Sequence, residues 1–309
     1  MSLLVIGTVA FDSVTTPHGS RESTLGGSAT YFAVAASFFT PVSMVAVVGE
    51  DFPADILERL GRRGIDTSGV VTVPGKTFRW KGEYGDDLNE ARTLETHLNV
   101  LEVFKPELSG MQRRADHLFL ANIDPVLQKE VQRQVESPHL VAADTMNFWI
   151  EGKRAELAAT LADVDLLVIN DGEARMLAGE SSLPRAAVRI RTMGPESVII
   201  KRGEHGVALF TASDTFVAPA FPVENVLDPT GAGDSFAGGM MGYLAHRDRH
   251  DPATLRQAII YGSTLASFNV EDFSMDRLLA LTRSEIDARY RAFTALTHFD
   301  PIGAGSEEG

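Results

Sequence analysis

The 309-residue chain contains no cysteine, which excludes disulfides and thiolate metal sites. It also has fewer basic than acidic residues, 28 against 42, and a net charge of −14. An acidic surface repels phosphate backbones and anionic lipids, which disfavours a nucleic-acid or membrane-surface role. No uninterrupted apolar run approaches the roughly 20 residues that span a bilayer, and the first residues lack the basic leader of a signal peptide. These absences, with 44% hydrophobic residues, predict a cytoplasmic globular protein.

Several familiar catalytic motifs are missing as well. The chain has no G-x-x-x-x-G-K-[ST], H-E-x-x-H or G-x-S-x-G pattern, and its eight histidines lack the spacing of metal ligands. A dinucleotide-binding fingerprint fails at residues 231–233, because Gly-Ala-Gly is followed there by Asp-Ser-Phe. These absences exclude a P-loop protein and disfavour a zinc site and a dinucleotide-dependent oxidoreductase.

Short apolar runs alternate with helical patterns along most of the chain. Strands are predicted at 3–7, 43–49, 117–122, 139–144, 165–170, 197–203 and 206–210, and helices at 28–39 (capped by Ser28), 53–64, 125–135, 152–162 and 235–247. This alternation predicts an α/β fold with a mostly parallel sheet, in which ligands bind beyond the carboxyl ends of the strands. Four polar residues that follow apolar runs are therefore expected on the ligand side: Asp12, Asn122, Asp144 and Asn170. Any one of them alone is better explained as a turn residue or a helix cap, whereas the set of four favours a functional role.

Two segments interrupt the alternation, at about 13–25 and 76–100. Their patterns predict strands of a small antiparallel sheet that is inserted into the α/β domain as a lid, with one apolar and one solvated face. On this lid, Arg79 either reaches a substrate or is merely solvated, and both interpretations stay open. The whole chain, 1–309, is otherwise interpreted as one domain that is mostly helical over its last hundred residues and ends in a frayed tail at 303–309.

Residues 228–239 read DPTGAGDSFAGG and run into the apolar helical pattern that follows. A glycine turn that feeds a helix N-terminus combines free backbone amides with the helix dipole, which makes an anion site. Asp234 would repel an anion bound there, but it suits a general base that takes a proton from an attacking hydroxyl during phosphoryl transfer. Asp234 could instead merely cap the helix, and spacing alone leaves these two interpretations open.

This stretch resembles the second signature of the ribokinase-like (PfkB) family of carbohydrate and nucleoside kinases. Further similarities follow the family's order: GTVAFD (7–12), LGGSATYFAVAA (25–36), VAVVGEDF (45–52), the N-x-x-E motif NDGE (170–173), and IIKRGEHGV (199–207) on the nucleotide side. The resemblance covers nearly the whole chain. It implies a three-layer α/β/α sandwich with a mostly parallel central sheet and a small β-strand lid.

The resemblance also implies roles on the ATP side. Asp234 is the expected catalytic base, and the amides of Gly231, Ala232 and Gly233 form the expected anion hole. Asn170 and Glu173 are expected to organise Mg²⁺ through its waters near the ATP phosphates, a task that suits hard oxygen ligands. Lys201 and Gly203 are expected to line the nucleotide side, and Asp228 and Thr230 resemble a loop that in some members also binds a monovalent cation such as K⁺.

On the acceptor side the resemblance implies that Asp12 grips substrate hydroxyls while Gly26 and Gly27 let the substrate lie against the backbone. Tyr31, Arg79 and Asp144 are further candidates for substrate contact. This side departs from the family pattern, because Tyr31 stands where the first signature often has a sugar-binding asparagine. The departure favours a ring-bearing substrate larger than ribose.

The predicted function is therefore an ATP-dependent kinase that transfers the γ-phosphate to a hydroxyl of a small sugar, polyol or nucleoside. Its expected partner is a small molecule, with no nucleic acid and no membrane, and the lid is a candidate surface for a homodimer. The alternative is a non-catalytic sugar- or nucleotide-binding regulator on the same fold. Such a regulator is expected to have lost Asp234 or Glu173, and both are present.

Overall fold

The computed structural model describes residues 2–298, so the tail predicted at 303–309 lies outside the described residues. The strands are β1 (Leu3–Ile6), β2 (Ala10–Thr16), β3 (Gly19–Gly26), β4 (Val42–Gly49), β5 (Ile65–Val73), β6 (Phe78–Tyr84), β7 (Ala91–His97), β8 (His117–Leu120), β9 (Leu140–Ala143), β10 (Leu166–Asn170), β11 (Ser197–Lys201), β12 (Val207–Phe210) and β13 (Thr215–Ala218). The helices are α1 (Ser28–Ala36), α2 (Ala54–Gly61), α3 (Pro125–Gln132), α4 (Asn147–Gly152), α5 (Arg154–Leu161), α6 (Asp171–Ala178), α7 (Leu183–Arg191), α8 (Ala232–Arg247), α9 (Pro252–Asn269), α10 (Asp276–Ala280) and α11 (Arg283–Thr297). None of these helices is both long and apolar enough to cross a membrane.

The central sheet has nine strands in the order β13-β12-β11-β10-β9-β8-β1-β4-β5. The strands from β11 through β8 and β1 to β5 pair in parallel, while β12 and β13 run antiparallel at one edge. Every residue of β1, β8 and β9 is buried, which is why these strands are recognisable as short, nearly continuous apolar runs. The predicted mostly parallel sheet is confirmed.

Helices cover both faces of this sheet. Because side chains alternate across a strand, Leu3 and Val5 join the core under α1, α8 and α9, whereas Leu4 and Ile6 join the core under α5, α6 and α7. The predicted three-layer α/β/α sandwich is therefore confirmed.

The helix predicted at 28–39 differs from the observed one at both ends. It ends at Ala36, and Gly27 rather than Ser28 occupies its N-cap with a φ of 97°. The Ser28 hydroxyl instead accepts a hydrogen bond from the Thr8 amide (3.1 Å) and donates one to the Asn122 carbonyl (3.0 Å). Ser28 thus ties the start of α1 to the ends of β1 and β8, which is a tertiary role that a capping rule does not anticipate.

A second sheet of four strands, in the order β3-β2-β6-β7, forms the lid. Its strands lie where the sequence predicted inserted strands, but the sheet is mixed rather than antiparallel, because β2 and β6 pair in parallel with Ala10 opposite Phe78. The cause is topological. β2 follows β1 and β6 follows β5, so the first strand of each hairpin leaves the same edge of the central sheet in the same direction.

Candidate active site

The glycine loop before α8 is shaped by Gly231. This residue is the N-cap of α8 with a φ of 76°, and a Cβ placed on it would lie 2.4 Å from the Tyr31 ring. Only glycine meets both conditions, because other residues rarely adopt this φ and carry the side chain that would clash. The loop therefore lies directly against the Tyr31 ring.

This loop leaves backbone amides open at the helix N-terminus. The Ala232 amide donates to the Pro229 carbonyl (3.1 Å), but the amides of Gly231, Gly233 and Asp234 have no hydrogen-bond partner within residues 2–298. The predicted anion site thus has three open amides, and Asp234 supplies one in place of Ala232. Free amides and the dipole of a 16-residue helix point at the same place, which favours an anionic group there.

Two buried polar residues hold the loop in this shape. The Asp228 carboxylate accepts the amides of Thr230 (2.9 Å) and Ser274 (3.1 Å). Asn269, which is fully buried in α9, donates to the Thr230 carbonyl (2.8 Å) and accepts from the Ser235 hydroxyl (3.1 Å). The sequence analysis did not identify Asn269, although a buried asparagine in an apolar helix requires such partners. A monovalent cation at Asp228 and Thr230 stays a prediction.

Asp234 lies in the first turn of α8 without capping it, because Gly231 holds the N-cap and no side chain makes a cap hydrogen bond. Its half-buried carboxylate accepts no hydrogen bond from the described residues. Burial raises the pKa of Asp234 to about 6, and the ammonium of Lys201 opposes that rise. The residue therefore has the environment of a general base, and its interpretation as a cap is wrong.

Asp144 and Lys201 lie beside Asp234, each next to the carboxyl end of a different strand. Oδ1 of Asp144 is buried without a hydrogen-bond partner among the described residues. Burial raises the pKa of Asp144 well above its usual value, Asp234 and Glu173 raise it further, and Lys201 opposes them. Asp144, predicted on the substrate side, thus lies in the same electrostatic cluster as Asp234, the predicted base.

Asn170 and Glu173 form a capping box at the start of α6. The Glu173 amide donates to Oδ1 of Asn170 (2.7 Å), and the Asn170 amide donates to Oε2 of Glu173 (2.9 Å). Oε1 of Glu173 accepts no bond from the described residues, so one carboxylate oxygen stays available. Residues 2–298 contain no group of three or more His, Asp or Glu side chains that could hold a metal ion. The available carboxylate oxygen of Glu173 fits Mg²⁺ that keeps its waters and phosphate ligands, because that ion dehydrates reluctantly and is usually bound through only one or two carboxylates.

Two predicted acceptor-side residues, Gly26 and Gly27, lie against the buried carboxylate of a third, Asp12. A Cβ on Gly26 would lie 1.9 Å from Oδ2 of Asp12, and the Gly27 amide donates a hydrogen bond to the same carboxylate. Burial raises the pKa of Asp12 to about 7; the Gly27 bond opposes this, while Asp234 and Asp228 add to it. The carboxylates of Asp12 and Asp234, predicted to bind substrate and to act as the base, are thus close enough to influence one another.

Tyr31 and Arg79 are engaged by the protein itself. Tyr31 is 1% exposed and lies beneath Gly231, so it supports the loop and presents no free surface to an acceptor. Arg79 donates to Asp51 (3.0 Å) and Ser23 (3.2 Å), which ties the lid to the segment after β4. A substrate contact by Arg79 stays a prediction.

The tip of the β6–β7 hairpin reaches both halves of the site, which the sequence analysis did not foresee. The Thr230 hydroxyl donates to the Tyr84 hydroxyl (3.3 Å), so the lid contacts the glycine loop. Oδ1 of Asn89 accepts the Glu204 amide (3.1 Å) and lies 1.9 Å from the position of a Cβ on Gly203. The lid therefore also contacts the turn predicted to line the nucleotide.

Comparison with known proteins agrees with this architecture. Residues 3–278 match the pfkB family carbohydrate kinase model, and the chain belongs to this family. It is thus a phosphotransferase of the carbohydrate or nucleoside kinase kind. A cytidine kinase from Thermococcus kodakarensis is 30% identical over 255 residues, which cover 80% of this chain and 90% of that protein.

Two solved structures show the same fold. A Burkholderia thailandensis nucleoside kinase in complex with inosine superposes with a TM-score of 0.74 at 22% identity, covering 95% of this chain and 99% of its own. A putative ribokinase II from E. coli in complex with ATP and Mg²⁺ gives a TM-score of 0.76 at 19% identity, covering 94% and 99%. At identities below 25%, these similarities show that the fold is shared, and they do not identify the acceptor of this chain.

Proposed function

We propose that the protein transfers the γ-phosphate of ATP to a hydroxyl of a small sugar, polyol or nucleoside, with Asp234 as the general base. The proposal rests on one observation: a single helix turn combines open amides with a carboxylate, and neither has a hydrogen-bond partner within residues 2–298. A site that only bound an anion would gain nothing from that carboxylate, because it repels the ligand. A regulator that had lost catalysis would have no use for it either.

The chemistry follows from this pairing. The acceptor oxygen forms a bond to the γ-phosphorus while its proton passes to Asp234. The bond from the γ-phosphorus to the β–γ bridging oxygen breaks, and ADP leaves with that electron pair. The open amides stabilise charge on the phosphoryl oxygens during transfer, and they need no reorganisation at that moment. When bound, Mg²⁺ neutralises phosphate charge, and Asn170 and Glu173 would hold its waters.

The acid–base environment supports Asp234 in this role. With a pKa raised to about 6, its carboxylate is ionised at neutral pH and still basic enough to accept a proton near the operating pH. Activity is therefore expected to fall as the pH drops through about 6, because the protonated acid cannot act as a base.

Nucleosides are the acceptors that we propose to test first. One relative is named a cytidine kinase and one structural neighbour a nucleoside kinase. The sugar-binding asparagine that is often found in the family is also absent here, which agrees with an acceptor other than a simple sugar; Tyr31 at its position is buried and supports no contact of its own with the acceptor.

The test is an ADP-release screen with Mg·ATP over cytidine, inosine and other nucleosides, then simple sugars and cyclitols. At least one acceptor is expected to give turnover, and Asp234→Asn is expected to lower it on the order of 10²–10⁴-fold, because a general base contributes that much. Asp55→Asn, in the exposed first turn of α2, is the matched control and should keep wild-type turnover. Unchanged turnover in Asp234→Asn would remove the assigned base, and a wild-type protein that binds ATP but phosphorylates no acceptor would favour the regulator.

A further inference from the structure

Lys201 is a cation in the candidate site that has no partner among the residues the structure describes. It ends β11, opposite Asn170 at the end of β10. Its Nζ lies 2.7 Å from the position that a Cβ on Gly233 would take, so the ammonium rests against the glycine loop. Within residues 2–298 the side chain makes no hydrogen bond and no ion pair.

Three carboxylates share the field of this ammonium. Asp144 follows β9, Glu173 lies in the first turn of α6, and Asp234 lies in the first turn of α8. Burial raises the pKa of each one, and Lys201 opposes the rise in all three cases. Among the described residues none of these carboxyl groups lies within salt-bridge distance of the ammonium, so Lys201 does not simply neutralise one neighbour.

The position of the ammonium indicates that its partner is a bound anionic group rather than a fixed carboxylate side chain. A structural lysine normally pairs with one carboxylate at salt-bridge distance, whereas this one lies over Gly233 beside the open amides of Gly231 and Asp234. Lysine is a compact point charge that binds phosphate well. The ammonium therefore faces the place where the amides would hold the phosphoryl group.

We propose that Lys201 is a catalytic residue whose ammonium contacts the phosphoryl group while it is transferred, beyond lining the nucleotide side. This inference rests on the proposed kinase function. As the acceptor oxygen bonds to the γ-phosphorus and gives its proton to Asp234, the bond to the bridging oxygen breaks and ADP keeps the electron pair. Lys201 stabilises the negative charge on the phosphoryl and bridging oxygens in that step.

Steady-state kinetics separate this role from plain nucleotide binding. Lys201→Met removes the charge and keeps a similar length, and it is expected to lower kcat on the order of 10²–10³-fold, as loss of one transition-state donor does. The KM for ATP should change little. Lys105→Met, which removes the charge of an exposed lysine elsewhere, is the matched control and should behave as wild type. A raised KM for ATP with unchanged kcat would overturn the proposal.

A binding measurement tests the proposal without any acceptor. Titration calorimetry of Mg·ADP, with and without aluminium fluoride as a mimic of the phosphoryl group in transfer, should show tighter binding with fluoride in the wild type. Lys201→Met should bind Mg·ADP alone as the wild type does and lose that gain. An equal gain in both proteins, or none in the wild type, contradicts the role of Lys201. A wild type that shows the gain but phosphorylates no acceptor contradicts the kinase function alone.

The pH profile supplies a readout that a merely structural lysine would not move. Because Lys201 holds down the pKa of Asp234, its removal raises that pKa, and the acid limb of kcat/KM should shift to higher pH in Lys201→Met. Lys201→Arg keeps the charge and should leave the limb near its wild-type position. An acid limb at the same pH in Lys201→Met counts against the proposal.

Discussion

The two ends of the parallel strands in the central sheet differ in how their charged groups are paired. We call the end where the strands begin the amino edge and the end where they finish the carboxyl edge. At the amino edge, Asp116 accepts the amide (2.8 Å) and hydroxyl (3.1 Å) of Ser2, and Asp165 accepts the Val141 amide (2.7 Å). At the carboxyl edge, Asp144 is buried and its Oδ1 has no hydrogen-bond partner among the described residues. Asp234 is half-buried, and neither of its carboxylate oxygens has such a partner. Within the described residues the protein thus supplies the partners of these carboxylates at the amino edge and leaves partners missing at the carboxyl edge, where we propose that ligands bind.

Because of this difference, the carboxylates at the two edges change the free energy of unfolding with pH in opposite directions. The amide of Ser2 lowers the pKa of Asp116. The ionised carboxylate therefore stabilises the folded state at pH values above the ordinary pKa of an aspartate, and this stability is lost as the pH falls through the lowered pKa. Burial raises the pKa of Asp12 and Asp234 to about 7 and 6. A raised folded pKa gives stability below the unfolded value of 3.8 that is lost as the pH rises through the folded value. At neutral pH the carboxyl edge therefore opposes folding, a familiar cost of an active site.

The largest expected effect is at the glycine loop. Gly231→Ala places a methyl group 2.4 Å from the Tyr31 ring at a φ of 76°, so the loop must move. Turnover should fall by about 10²-fold or more, because such a displacement misplaces the reacting groups. Gly61→Ala, at the end of α2 with nothing within 4 Å of the new methyl, is the matched control in the same assay. Equal turnover in both variants would mean that the open amides do not depend on the loop's shape.

The second effect concerns the exception at the amino edge, His117, which is fully buried and whose Nδ1 has no partner among the described residues. Burial lowers its pKa from 6.5 to about 4, with His250 and His139 adding to the effect and Asp248 and Asp116 opposing it. The unfolded chain therefore binds the proton first, and the free energy of unfolding should fall as the pH drops from 6.5 towards 4.

Urea unfolding at pH 7 and pH 5 measures this contribution, which is about 2 kcal/mol over that interval for the stated pKa values. His117→Gln should lose less stability than the wild type between the two pH values by roughly that amount. The difference between the proteins isolates His117, since the carboxyl-edge aspartates change in the opposite direction in both. Parallel pH dependences would show that His117 titrates normally.

The smallest effect applies one substitution at both edges. Asp144→Asn removes a buried, partly unpartnered charge and should raise the free energy of unfolding at pH 8 by roughly 0.5–2 kcal/mol, the size of other gains at function-constrained sites. Asp116→Asn should lower it by at most about 0.5 kcal/mol, because the charge there is favoured but partly solvated. Chemical denaturation of both variants provides the comparison. A loss of stability in Asp144→Asn would contradict the predicted difference between the two edges, because removal of a charge would then destabilise the protein at both.

The sequence predicted those parts of the fold that have strong local signals. The buried strands β1, β8 and β9 are continuous apolar runs, and each was predicted to within one or two residues. In contrast, β5 was missed, because it is half exposed and begins Ile-Asp-Thr-Ser-Gly, which resembles a turn. β13 is a short edge strand with the same difficulty.

The site was predictable to the extent that its residues follow one another in sequence. The loop around Asp234 and the Asn170–Glu173 pair were found from local motifs. Asn269, Tyr84 and Asn89 were not, since their contacts join residues 39, 146 and 115 positions apart. Such contacts depend on how hairpins and helices are brought together, and a single sequence carries little local signal for that.

The two contacts of the lid tip have a further consequence for how the candidate site opens. Tyr84 bonds to the glycine loop and Asn89 to the nucleotide-side turn, yet both belong to one hairpin. A movement of this hairpin away from the central sheet would break both contacts at once. We therefore expect the two sides of the candidate site to open and close together, because one hairpin is tied to both.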